Sequence, residues 1–200
     1  MRDFCQLIFA FTLLLVGSVA IGLAQDKTAP ATQPMPEKKV VPEPSQVGGF
    51  RAEYLRQIDD VQAKVVKLAD AVSADKYTWR PAEGVRSISE VYMHLAAANF
   101  FILRALGIAP PEGTMPGREM EKVTDKNKVL DTLKASFDHV RKSVMKMSDA
   151  DMDKAVKLFG RDSTHREALM ILLNHMHEHL GQSIAYARMN KVTPPWSEGR

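Results

Sequence analysis

Four separate stretches of this 200-residue chain carry apolar residues at alternating spacings of three and four, and that rhythm restricts the fold more than any other feature. Side chains spaced in this way share one face of an α-helix. Tyr54, Ile58, Val61, Val65, Leu68 and Val72 make the first stripe, opposite Arg56, Asp59, Lys64 and Lys67. Val91, His94, Ala98, Phe101 and Ala105 make the second, and Leu130, Leu133, Phe137, Val140, Val144 and Met147 the third. Ala168, Leu172, His175, His179, Gln182 and Tyr186 make the fourth. An amphipathic helix is held mainly by burial of its stripe against other elements. Four such stripes therefore predict an all-α fold, a four-helix bundle.

Breakers and caps set the boundaries. The first helix runs from about Phe50 to Ser73 and gives way to DKYTWRPAEGVR, where Pro81 and Gly84 forbid a regular helix and Trp79 offers a plug for one bundle end. Ser87-x-x-Glu90 is a capping-box signature opening the second helix, which closes near Gly107. Residues 108–124 hold Pro110, Pro111, Gly113, Pro116 and Gly117, so they read as one long crossover without a helix, which would let successive helices run parallel. The third helix spans about Asp125 to Met147. Residues 148–163 read as one short turn starting at Ser148-x-x-Asp151, with no strand. Thr164-x-x-Glu167 is a second capping box, and Pro194 and Pro195 are expected to stop the fourth helix.

Histidine occupies core-facing positions on two of these helices. His175 and His179 stand one turn apart and project from one face, so two imidazoles can grip a single metal ion. His94 takes a seam position on the second helix, where the small side chains of Ala97 and Ala98 leave room for a metal or a substrate. A lone histidine in such a seam reads as a hydrogen-bonded core residue; three that converge read as a ligand set. Three imidazoles leave one or two coordination positions for water or substrate, the pattern of a catalytic rather than a closed structural site. Zinc is the first expectation, with nickel, iron or manganese as alternatives, because all-imidazole sites discriminate weakly among divalent ions. Glu90, Gln182 and Tyr186 are the candidates for catalytic or orienting groups, although Glu90 has the capping box as its plainer role and Gln182 and Tyr186 can satisfy each other. His177 lies about 200° from each neighbouring ligand and faces solvent; His139 and His165 read as solvated or capping. HMHEH also matches the inverted zinc-peptidase motif H-x-x-E-H with Glu178 as base. That reading fails for want of a downstream metal ligand, since Glu198 in the Pro-rich tail is the only carboxylate that follows.

SISEVYMHLAAANFF around His94, HMHEHLGQSIAYARMNKVTPPW around His175 and His179, and the WRPAEGVRS turn together resemble the DinB/YfiT-like superfamily of four-helix-bundle metalloproteins. The resemblance spans roughly residues 50–196. It implies a divalent metal on His94, His175 and His179, and an activity among metal-dependent hydrolases or thiol-type transferases acting on a small molecule. The other class of reading is a non-catalytic metal-binding or stress-related envelope protein in which the ion tightens the bundle.

The N-terminus bears on location. MRDFCQLIFAFTLLLVGSVAIGLA has one early arginine, an apolar run and small residues before Gln25, and reads as a signal peptide cleaved after Ala24. An uncleaved membrane anchor is the alternative, since the run is almost long enough to span a bilayer. Residues 25–49, rich in Pro, Lys and Glu, read as a disordered tether, leaving residues 50–196 as the folded domain. Export to the periplasm or beyond follows. Cys5 is the only cysteine, so the mature chain would have no disulfide, thiolate ligand or cysteine nucleophile. The net charge of +3 is spread without a basic run, which excludes a nucleic-acid surface. A homodimer is left open.

Overall fold

A computed structural model describes residues 48–197. The expected signal peptide (1–24) lies outside these residues, as does all of the expected tether except Gly48 and Gly49. Gly49 already belongs to the first helix.

Four long helices make the bundle: α1 (Gly49–Ala71), α2 (Ile88–Ala105), α4 (Lys126–Lys146) and α5 (His165–Met189). Both α1 and α2 pack against α4 and α5, so the first two stand at opposite corners. Their meeting faces are fully buried: Ile58, Val61 and Val65 of α1, Met93 and Leu103 of α2, Leu133 and Phe137 of α4, Leu169 and Leu172 of α5. The stripes expected on α1 and α4 are buried throughout.

Caps appear where the sequence places them. Glu90 N donates to Ser87 Oγ at 3.3 Å and Ser87 N donates to Glu90 Oε2 at 2.7 Å, a complete capping box. Asp125 Oδ1 accepts from Lys128 N at 2.9 Å, and Thr164 Oγ1 from Glu167 N at 3.2 Å. The second box is only half made, because the Glu167 carboxylate accepts from Ser163 Oγ instead.

Four expectations need correction. First, the buried face of α2 runs through Ile88, Val91, Tyr92, Leu95, Asn99 and Leu103, whereas the stripe drawn through His94, Ala98 and Phe101 turns outward, with Phe101 54 % exposed. A helix that is apolar nearly all round has no unique stripe, and the histidine marks the site face rather than the core. Second, the crossover is not wholly irregular: Pro116 starts a single helical turn, α3 (Gly117–Met120), whose Met120 is buried. Third, residues 148–163 contain the expected turn (Ala150–Asp153) but continue into an antiparallel hairpin, β1 (Ala155–Leu158) and β2 (Arg161–Thr164), in register Leu158 to Arg161. Its two-residue turn has φ of 51° at Phe159 and 77° at Gly160, the mirror-image geometry that suits strand twist. Fourth, α5 ends at Met189, before the prolines. Lys191 adopts φ 60°, Val192 N donates to Ala187 O at 2.9 Å and Lys191 N to Arg188 O at 2.9 Å, a Schellman termination that satisfies the last carbonyls.

Candidate metal centre

His94 comes from the middle of α2, and His175 and His179 from the middle of α5, two helices in direct contact. The four-residue spacing on α5 brings the latter two rings to a centroid separation of 4.4 Å, and His94 closes the group at 5.2 and 5.0 Å. The three Nε2 atoms point at one another: His175 Nε2 lies 3.3 Å from that of His94 and 3.1 Å from that of His179. One ligand atom from each lies within 4.8 Å of the others, so the three could hold a metal ion.

The outer nitrogens explain the convergence. His94 Nδ1 is 2.9 Å from Glu121 Oε1 and His179 Nδ1 is 2.8 Å from Gln182 Oε1. Both oxygens are acceptors, so each Nδ1 carries the proton and each Nε2 presents a lone pair. Glu121 is held in turn by Arg86 Nε at 3.1 Å, and Gln182 Nε2 donates to Tyr186 OH at 3.0 Å. His175 Nδ1 is buried without a protein partner.

This donor set fits a divalent ion. Tetrahedral zinc with bonds of roughly 2.0–2.1 Å sets its nitrogen ligands about 3.3 Å apart, close to the separations seen here. Without a cation, lone pairs on adjacent rings repel, and a proton on His175 Nε2 is the one hydrogen available to the cluster. A second proton on His175 is opposed: burial, then repulsion from any charge on the neighbouring His179 and His94 rings and from Arg86, pushes it down to about 4. Burial lowers His179 as well, against the Gln182 hydrogen bond. Neutral imidazoles are the form a metal needs. For Glu121, burial acts to raise the pKa, but the hydrogen bonds from Arg86 and His94 outweigh it and the carboxyl sits below the usual range.

The cluster is open on one side. His94 and His175 line a cavity of about 530 Å³ bounded by α2, the crossover and Phe159 at the hairpin tip. Ala97 and Ala98 lie along its floor, which is the room their small side chains suggest.

The remaining candidates divide. Gln182 and Tyr186 reach the cluster from the far side, behind His179. Glu90 is used elsewhere, on its cap and on Arg80 at 2.9 Å. The carboxylate that orients His94 is Glu121, which the sequence does not single out from Glu112 and Glu119 in the same crossover. His177 is exposed as expected. His139 and His165 are half-buried rather than solvated, with His139 Nε2 and His165 Nδ1 buried and unpartnered and the His139 ring 5.5 Å from Phe100. Glu178 is exposed and not among the residues lining the cavity beside the histidines, against the zinc-peptidase reading in which it would be the base.

A family model, DinB superfamily, matches residues 57–183. The uncharacterized protein YjoA of Bacillus subtilis (strain 168) is 26 % identical over 130 residues, 61 % of this chain and 79 % of that protein. Among solved structures, a DinB-like protein from Bacillus cereus ATCC 10987 is similar with a TM-score of 0.62 at 20 % identity, over 71 % of this chain and 93 % of that one. YfiT from Bacillus subtilis, described as "a probable metal-dependent hydrolase with an unusual four-helix bundle topology", is similar with a TM-score of 0.57 at 14 % identity, over 74 % of this chain and 93 % of that one.

Proposed function

The chain belongs to the DinB superfamily, and on that premise we propose that it is a metal-dependent hydrolase whose divalent ion, zinc in the first instance, is held by His94, His175 and His179. The observation that carries this reading is the meeting of three Nε2 atoms, two with their far nitrogens anchored to Glu121 and Gln182, at the edge of a cavity large enough for a small molecule. The description of YfiT, a fold neighbour, favours hydrolysis over thiol transfer. A closed, purely structural centre would have no use for the cavity.

When bound, a divalent ion supplies Lewis acidity, polarising a carbonyl or phosphoryl oxygen and acidifying water. The protein's own groups do the positioning. Glu121 and Gln182 fix the tautomers of His94 and His179, so no ring rotates when the site fills. Arg86 keeps Glu121 ionised, and with it the hydrogen bond to His94. The apolar cavity wall excludes water from one side of the reacting group and strengthens the electrostatics inside.

We place the domain at residues 50–196, exported after cleavage at Ala24 and carried on the tether 25–49. The composition of residues 1–49 supports this. Among the described residues no helix is long and apolar enough to cross a membrane. A mature N-terminus at Gln25 in a secreted or periplasmic fraction is the expected result; a retained Met1 in membranes would favour the anchor.

Elemental analysis of the purified protein is the test of the centre. About one equivalent of divalent metal is expected, lost in His175→Ala, and hydrolysis of activated esters should disappear with it. Equal metal in both proteins would remove the proposed ligands.

A further inference from the structure

Large apolar side chains stand unprotected around the cavity. Phe101 is 54 % exposed and Met115 41 %, and Phe159 is 61 % exposed while stacking on Phe101 at 5.8 Å with ring planes 23° apart. Phe159 is also a poor choice for its backbone. Its φ of 51° at the first turn position favours Asn, Asp or Gly, and a bulky residue there is strained. An aromatic ring kept at a strained, exposed position and laid against a second exposed ring forms a wall rather than a turn. Such strain points toward function.

Charge defines the other half of the site. Arg104 and Arg118 line the same cavity, and neither forms an ion pair among the described residues, whereas Arg86 is paired with Glu121. Glu121, the one carboxylate in the lining, is already engaged by Arg86 and His94. The free charge facing the cavity is therefore positive. Arg104 follows His94 by ten residues on one helix, about 15 Å along its axis. At about 1.2 Å per bond, an extended chain covers that distance in about twelve bonds.

We propose that this cavity receives a medium-length apolar chain with an anionic end-group, the chain lying on the Phe101–Phe159 wall and the anion on Arg104 with help from Arg118. Resting on the hydrolase reading, this names its substrate class: a medium-chain anionic amphiphile whose cleavable bond lies at the histidine end.

Calorimetric binding of fatty acid anions to the full, metal-stripped protein tests the proposal without relying on the metal. Decanoate is expected to bind, butyrate not measurably, and each methylene between them to change affinity about fourfold. Decyltrimethylammonium, with the same chain and the opposite charge, is expected to bind at least tenfold more weakly than decanoate. Phe159→Asn relieves the turn, so its melting temperature should not fall, while decanoate affinity drops about tenfold or more. Arg104→Gln should remove the preference for the anion and leave the dependence on chain length. Affinity independent of chain length, equal binding of the cationic amphiphile, or unaltered binding by Phe159→Asn would each overturn the proposal. Because decanoate binding is read on metal-stripped protein and metal content by elemental analysis, loss of the metal reading and loss of this one are seen separately.

Discussion

Replacing Glu121 measures how far the protein, rather than the ion, organises the centre. Its Oε1 accepts from His94 Nδ1 at 2.9 Å and its Oε2 from Arg86 Nε at 3.1 Å. Gln keeps an acceptor for the imidazole but exchanges a charge-assisted hydrogen bond for a neutral one, a difference of about 1 kcal/mol or about fivefold in zinc affinity. Leu removes the acceptor, frees the His94 ring to rotate and leaves Arg86 unpaired; losses of outer partners of this kind run to about 10–100-fold. Because the Glu121 side chain is 29 % exposed, water replaces part of what is lost, which places Glu121→Leu in the lower half of that range, about 10–30-fold. Competition against a chromophoric chelator gives the affinities. Glu90→Gln is the control, since Glu90 is engaged with Ser87 and Arg80; its zinc affinity should stay within about twofold of the parent. Glu121→Leu within twofold of the parent, or Glu90→Gln as damaging as Glu121→Leu, would refute the assignment.

Three further outcomes are expected. Ser87→Ala removes the acceptor that caps α2, costing about 1 kcal/mol and lowering the melting temperature by roughly 2–4 °C, and urea denaturation checks it. Phe137→Ala empties a fully buried position on α4 and should cost about 3–5 kcal/mol in the same assay. His139 has its pKa lowered, first by burial and then by Lys146. The folded chain therefore binds fewer protons than the unfolded one, and this residue's contribution is complete above the unfolded value near 6.5 and declines as pH falls through it. His139→Phe should lose less stability than the parent between pH 7.5 and 5, and an equal loss would contradict the buried, neutral role.

The parts of the fold that could be read from residues alone are those where one pattern excluded others. On α1 and α4 a narrow apolar stripe faces a charged side, so the buried set follows directly. Ser87, Asp125 and Thr164 cap because their side chains offer an oxygen to a free amide next to an apolar run. The pair on α5 was legible because His175 and His179 interrupt an apolar stripe one turn apart, whereas His94 was drawn from a stripe that the structure turns toward the cavity. On α2 the pattern itself is ambiguous: Val91 and Leu95 bury one side while Ala97 and Phe101 supply an equally apolar face to the cavity. The hairpin escaped because four-residue strands such as Arg161–Thr164 are mostly polar and exposed, and Phe159–Gly160 lacks the usual Asn-Gly signal. Glu121 escaped because its role depends on the crossover folding back over α2, where a Cβ added to Gly117 would sit 3.4 Å from that of Ala97. No local spacing encodes that return.

The most direct test of the three-histidine centre is anomalous diffraction from crystals grown with zinc. A single strong peak about 2.0–2.1 Å from Nε2 of each of His94, His175 and His179 is the expected result. Density bound to fewer than all three rings, or zinc found only at other carboxylates and histidines, would contradict it.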